Sequence, residues 1–189
     1  MVMLQEKELV AKILQGDPKA FEALVMRYEK LVLYVTSKLI RSEDDVMDVC
    51  QEVFIKVHRG IHKFSFNAKL STWIARIAYL TAINHLRKYQ TENQRRINDD
   101  ELLLEQYHFS EETPEHILIQ KDVAAYVHHL IDQLPLPYRT ALTLYHLQEF
   151  SYAEIQEITG MPEGTIKNYL FRARKLLKEK LEVYLQDEK

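Results

Sequence analysis

Apolar residues recur along this chain with a period near 3.6, which predicts helices almost throughout and gives little sign of strand alternation. Leu4 to Gln15 reads as a first short helix closed by Gly16, and Asp17-Pro18 restarts the chain with an N-cap and a proline at the first helical position. The next helix carries Phe21, Leu24, Val25, Tyr28, Leu31, Val32, Val35 and Leu39 on one wide stripe, long enough to be the spine of a bundle. Ser42 is placed to cap a third helix, whose first turn sets Glu43, Asp44 and Asp45 at the positive end of the helix dipole. Its core stripe is Val46, Val49, Val53 and Val57, with Cys50 and Phe54 beside it, while Asp48, Gln51, Glu52, Ile55 and Arg59 share the other face. Gly60 to Leu70 is a loop rich in phenylalanine and lysine (Lys63, Phe64, Phe66 and Lys69). Ser71 caps a fourth predicted helix from Thr72 to about Tyr89.

The period is lost over residues 90–114, which turn polar and acidic and end at Thr113-Pro114. Helix resumes from Glu115 to Leu134, is broken by Pro135 and Pro137, and returns from Tyr138 to Leu147. Then comes FSYAEIQEITGMPEGTIKNYLFRAR, residues 150–174. Ser151 and Glu154 have capping-box spacing, Gly160 suits a left-handed C-terminal position, and Pro162 prevents continuation. A second helix starts near Glu163-Gly164 and runs past Arg174, which makes a helix-turn-helix. Ile166, Tyr169, Leu170, Ala173, Leu176 and Leu177 form its apolar stripe; Lys167, Asn168, Phe171, Arg172 and Lys175 lie opposite. A phenylalanine among cations suits a face that lies on DNA, and the plainer alternative is an amphipathic surface helix with scattered Lys and Arg. The expected fold is all-α, with two small helical domains: a four-helix unit at residues 1–89 and a helix-turn-helix unit at 115–189, joined by a flexible acidic linker at 90–114.

Composition sharpens this picture. Four glycines and five prolines in 189 residues fit a helical protein. No apolar run approaches the roughly 20 residues needed to cross a bilayer, and the N-terminus has no signal-peptide core. A single cysteine, Cys50, excludes an internal disulfide framework and fits a reducing cytoplasm. The net charge of −3 argues at first against nucleic acid, but the charges are segregated. Residues 51–90 hold seven Lys/Arg against one acid, 164–180 hold six against one, and 91–133 hold ten acids against three bases. Two basic segments separated by an acidic one predict two DNA footprints and a connection that avoids DNA.

On a helical wheel the fourth helix has a small-residue face of Ala75, Ala78, Ala82 and Leu86, suited to close packing. Trp73, Arg76, Ile77, Leu80, Asn84, Arg87 and Lys88 lie on the other side. Large apolar groups mixed with cations suit a strand with unstacked bases, each aromatic stack being worth roughly 1–3 kcal/mol. Trp73, Ile77 and Leu80 could equally be bundle core, which would leave Arg76, Arg87 and Lys88 unexplained. His58 and His62 are four apart and His128-His129 adjacent, but no cysteine or carboxylate completes a zinc set. No Ser/His/Asp grouping or phosphate-binding loop is present, so no catalysis, cofactor or metal is expected.

The order and wording of GDPKAFEALVMRY, DVCQEVFIKVHRGIHKF, STWIARIAYLTAINHLRK and SYAEIQEITGMPEGTIKNYLFRARKLL resemble a bacterial RNA polymerase sigma factor of the extracytoplasmic-function (ECF) class, over nearly the whole chain. The resemblance implies that the first domain is sigma region 2 and the second sigma region 4. It implies that Asp48, Gln51 and Glu52, with Ile55 and Arg59 on the same face, dock on the clamp helices of the polymerase largest subunit, region 4 meeting the flap. It implies that Lys63, Phe64, Phe66, Lys69, Trp73, Arg76, Leu80, Asn84, Arg87 and Lys88 capture an unstacked base of the −10 promoter element. It implies that Thr165, Lys167, Asn168, Phe171 and Arg172 enter the major groove of the −35 element, with Arg174 and Lys175 near phosphates. An anti-sigma factor is a further expected partner.

Three positions depart from the family's pattern. Leu80 stands where many members have an asparagine that touches the captured base, so promoter choice is expected to lean on the upstream element or on an additional recruiting protein. Gln156 stands where alanine usually allows close helix packing, and Tyr169 where a basic residue is frequent. Two other readings stay open: a regulator with an N-terminal sensing domain, and a helical adaptor with no DNA role.

Overall fold

The computed structural model describes residues 2–93 and 123–187, and among these no strand occurs. The first unit consists of α1 (Val2–Leu14), α2 (Pro18–Ser37), α3 (Glu43–Gly60) and α4 (Leu70–Asn93). Its helix starts follow the residue chemistry. Gly16 takes φ +85°, Asp17 Oδ1 accepts the Lys19 N–H at 2.9 Å, and Pro18 opens α2 where an amide hydrogen would have no partner. Ser42 Oγ accepts the Asp45 N–H at 3.3 Å at the start of α3. Leu24, Val32 and Val35 of α2, Val49, Val53 and Val57 of α3, and Ile74, Ala75 and Ala78 of α4 form one buried core. The alanines of α4 let that helix approach its neighbours closely. Thr36 is buried with them, its hydroxyl donating to the Val32 carbonyl at 2.8 Å and lying 3.1 Å from Cys50 Sγ.

The bounds of α4 differ from expectation at both ends. Ser71 is not its cap: the helix begins at Leu70, and the Trp73 N–H already bonds to the Lys69 carbonyl at 3.1 Å. Complete burial of Leu70 sets the entry point, overriding the local capping preference. At the other end α4 continues past Tyr89 to Asn93, and the remainder of the expected linker, from residue 94 to 114, lies outside the described residues.

The second unit holds α5 (Val123–Asp132), α6 (Leu136–Leu142), α7 (Tyr152–Thr159) and α8 (Glu163–Asp187). Pro135 and Pro137 end α5 and open α6 rather than delaying it, because proline is tolerated in a first turn. The predicted helix from Tyr138 to Leu147 changes character at Thr143, where a π-helical turn of five residues takes over. The Gln148 N–H reaches back to Thr143, Glu149 takes φ +55°, and the Phe150 N–H bonds to the Leu144 carbonyl at 3.0 Å. This tight wrap buries Phe150 and delivers Ser151 to the start of α7. There the capping box is complete: the Ser151 N–H bonds to Glu154 Oε2 at 2.9 Å and the Glu154 N–H to Ser151 Oγ at 3.3 Å. Gly160 ends α7 in the left-handed conformation at φ +78°.

The two units pack on one another, α4 against α7, so that their buried apolar residues form one continuous cluster. Where Val35, Leu39 and Tyr79 meet Thr140, Thr143 and Leu144, the remaining cavity is about 10 Å³, room for no more than about one water. Lys38 and Asp132 form an ion pair of 2.5 Å across the two units, at the rim of a polar cleft of about 400 Å³ where Ser37, Ile40 and Arg41 face His129, Gln133 and Arg139. Helical periodicity gave no warning of this contact, because it reports which face of a helix is apolar and not which unit covers it.

Candidate nucleic-acid interface

Valines every three or four residues hold one side of α3 in the core and thereby turn Asp48, Gln51, Glu52, Ile55 and Arg59 outward together. Ile55 is 51% exposed, and Met47 beside this face is 55% exposed. Glu52 pairs with Lys56 at 2.7 Å along the helix. An acidic surface with an apolar centre is thus presented by a rigid helix.

The loop after α3 begins with a 3₁₀ turn, Ile61–Lys63, and is pinned by buried Ile61, Phe64 and Leu70. Phe64 is therefore an interior residue. Against it stand Phe66 at 4.7 Å and Trp73 at 5.3 Å between ring centroids, both half-buried. Phe66 takes φ +60°, and Lys7 of α1 lies over its ring at 5.7 Å. Trp73 lies beside Gly60, where a Cβ would meet the indole at an ordinary contact distance of 3.5 Å. Along α4, Leu80 is 42% exposed, and Asn84, Arg87 and Lys88 are exposed beside it, while Ile77 is half-buried. Lys63 is exposed on the loop. Lys69 and Arg76 point elsewhere, toward α7: Lys69 Nζ lies 3.0 Å from Glu154 Oε1, and Arg76 donates to the Glu157 carbonyl. The ten residues expected at this face thus divide into an interior support, an aromatic and polar surface, and two cations committed to the second unit.

In the second unit, buried Ile155 and Ile158 of α7 meet Ile166, Leu170 and Ala173 of α8, fixing the angle of the helix pair. Gln156 is exposed on α7. Tyr169 turns inward, its ring 5.2 Å from that of Tyr138. Lys167, Asn168, Phe171, Arg172, Arg174 and Lys175 are exposed along α8, and Thr165 is half-buried at its start. Phe171 is 66% exposed at the middle of this surface.

Several partners of these cations were not legible in the sequence. Tyr145 and Tyr152 stack at 5.0 Å with their planes 11° apart. Lys167 lies over Tyr152 at 5.3 Å and Arg174 over Tyr145 at 5.7 Å, distances at which a cation is attracted to the ring face. Arg174 Nε also donates to His146 Nε2 at 3.2 Å, and burial followed by the nearby guanidinium pushes His146 below its ordinary pKa. Arg172 donates to Tyr138 Oη at 3.3 Å. The π turn sets Tyr145 against Tyr152, and no regular helical spacing would have paired them. Of the other histidines, His58 packs edge-on against Phe21 at 4.8 Å, and His129 contacts Gln133 at 2.9 Å.

The family model of sigma-70 region 2 matches residues 24–92 and that of sigma-70 region 4 matches residues 124–177, together most of the chain. The RNA polymerase sigma-H factor of Pseudomonas aeruginosa is 34% identical over 97% of this chain and 97% of its own length. The chain belongs to the ECF class of the sigma-70 family. The ECF RNA polymerase sigma-E factor of Haemophilus influenzae is 35% identical, covering 95% of this sigma factor and 96% of the relative. Among solved structures, the sigma factor RpoE in complex with the anti-sigma factor NepR from Bartonella quintana superposes with a TM-score of 0.66 at 21% identity, over 87% of this chain and 98% of that one. CnrH in complex with the cytosolic domain of CnrY gives a TM-score of 0.64 at 19% identity, over 93% and 96%. These two establish the likeness of fold. As a sigma factor, the chain directs transcription initiation through regions 2 and 4.

Proposed function

We propose that this sigma factor docks on core RNA polymerase through the α3 face, reads the −35 element with α8 and captures an unstacked −10 base with the loop and α4. Residues 1–89 serve as region 2, 90–114 as the acidic spacer and 115–189 as region 4. The observation that carries this is the surface of α8. A phenylalanine two-thirds exposed stands there among Lys167, Asn168, Arg172 and Arg174, on a helix whose other side is locked in the core. An exposed aromatic has no folding role, whereas it gives apolar contact to a thymine methyl while the flanking polar groups reach base edges or phosphates.

At region 2, Phe66 and Trp73 form the stacking surface, Phe64 supports them from inside, and Asn84, Arg87 and Lys88 follow the strand. Leu80 gives this face an apolar patch, which supports weak downstream discrimination and greater reliance on the −35 element or on a recruiting protein. The exposed α3 acids with Ile55 suit the clamp helices. The B. quintana and CnrH complexes suggest that an anti-sigma factor also binds here, and the work of this chain is cytoplasmic, where polymerase and promoter are.

Adding the purified chain to core polymerase tests this directly. Promoter-specific run-off transcripts are expected only with the chain present, and are expected to be lost on Asp48→Ala/Glu52→Ala and on Phe171→Ala/Arg172→Ala. Sequence-specific DNA binding without any dependence on polymerase would favour a conventional regulator instead.

A further inference from the structure

We propose that the polar cleft between the end of α2 and the end of α5 is a binding site for a small phosphorylated anion of nucleotide size. The cleft holds about 400 Å³, within the range of about 300–1,000 Å³ usual for small-molecule sites and far more than a bridging water needs. Arg41, just after α2, lines it from the first unit, and His129, Gln133 and Arg139 line it from the second. The carboxylate in the lining, Asp132, is taken up by Lys38 at 2.5 Å. Two guanidiniums, set against one carboxylate that a lysine already neutralises, give the cleft a positive balance.

Arg139 is the fixed part of the site. It is 3% exposed, and its Nη1 donates to the Asp132 carbonyl at 2.5 Å, at the C-terminal end of α5 where the helix dipole favours a cation. A guanidinium held in this way has little rotamer freedom left to lose, so an arriving anion meets a preorganised charge. Arg41 is exposed and supplies the adjustable arm. His129 adds a further donor: the Gln133 amide nitrogen, 2.9 Å from His129 Nε2, can only donate, so Nε2 accepts and Nδ1 carries the ring proton. Donors arriving from several elements suit a phosphate, whose oxygens accept in several directions, better than a planar carboxylate, and each guanidinium can pair with phosphate through two parallel bonds. The volume exceeds that of one phosphate group, so the ligand carries a second phosphate or an organic part, for which buried Ile40 supplies an apolar wall. None of these residues is among those assigned to polymerase or promoter, so the site stands or falls independently of that reading.

Calorimetric titration of the full chain tests this with three probes at low ionic strength: pyrophosphate, AMP and adenosine. Pyrophosphate and AMP are expected to bind saturably, one per chain and more weakly as salt is raised, while adenosine, which has no phosphate, is not. Arg41→Ala, at an exposed position that folding does not depend on, is expected to weaken AMP at least about ten-fold. Arg139→Lys keeps the charge but loses the planar fork and is expected to weaken it several-fold. Asp132→Asn removes the negative charge of the lining and releases Lys38 to the ligand, so it is expected to tighten binding several-fold. Lys12→Ala, beside the start of α2 and about 30 Å away along that helix, is expected to bind as the wild type does. Circular dichroism confirms that each variant retains its helix content. Absence of saturable binding of both pyrophosphate and AMP at about 1 mM overturns the site. Adenosine binding as tightly as AMP, or Arg41→Ala binding AMP as tightly as the wild type, overturns it equally.

Discussion

The carboxylate of Glu154 is shared between two tasks: Oε2 closes the cap of its own helix on Ser151, and Oε1 meets Lys69 of the other unit at 3.0 Å. Partial burial works to raise its pKa, but the Ser151 amide and hydroxyl and the Lys69 ammonium outweigh it and hold the group at about 2. A folded-state pKa below the ordinary value of 4.5 means that the unfolded chain takes up the proton first as pH falls. Its contribution is therefore complete above about 4.5 and is lost on descent toward 2. The acid limb of a thermal-stability profile should flatten over this window in Glu154→Gln relative to the wild type.

Removing the cap altogether separates the two tasks. Glu154→Ala should cost about 1 kcal/mol more than Glu154→Gln in denaturant unfolding, because only the former leaves the Ser151 amide without its side-chain acceptor. Equal losses would show that the cap contributes nothing and the ion pair everything.

Phe171 offers a cleaner test of base reading. Being 66% exposed, it can be changed to alanine with stability held within about 0.5 kcal/mol. Discrimination between −35 sequences should nevertheless fall by about 1–3 kcal/mol, about 5- to 150-fold, in competition binding. Lys175→Ala should instead weaken all sequences alike and lower the salt slope by about one.

The tyrosine shelf makes a different prediction. Tyr152→Phe keeps a ring beneath Lys167 and should leave −35 affinity nearly unchanged, whereas Tyr152→Ala should lose about 0.5–1 kcal/mol. Equal effects of the two would point to the hydroxyl rather than the ring face.

Leu80→Asn tests the departure at the downstream element. The position is exposed enough to accept an amide without a folding penalty. Transcription from promoters with altered −10 sequences should become more selective, while a −35 mutation series should be unaffected.

Helices, caps and the two basic faces were legible because each depends on neighbours within a turn or two. Val46, Val49, Val53 and Val57 announce one side of α3, and Ser151 with Glu154 announces a helix start. Where long-range packing decides, the sequence was mute. Burial of Leu70 moved the start of α4 past a good capping serine, and the π turn at Thr143 brought Tyr145 onto Tyr152. Lys69 and Arg76 had the composition of DNA-binding residues, and only the placement of α7 reveals their second partners. Phe64 and Phe66 differ by two positions in a loop without periodicity, so nothing in the chain said which would be interior.

The continuous cluster from Val10 in α1 to Ala173 in α8 has a thermodynamic consequence. Two units with private cores would melt independently, each with its own enthalpy and midpoint. Sharing one core couples them, so a cavity cut at Val35 is expected to destabilise α8 as well as α2, and calorimetry of the chain is expected to record a single cooperative transition.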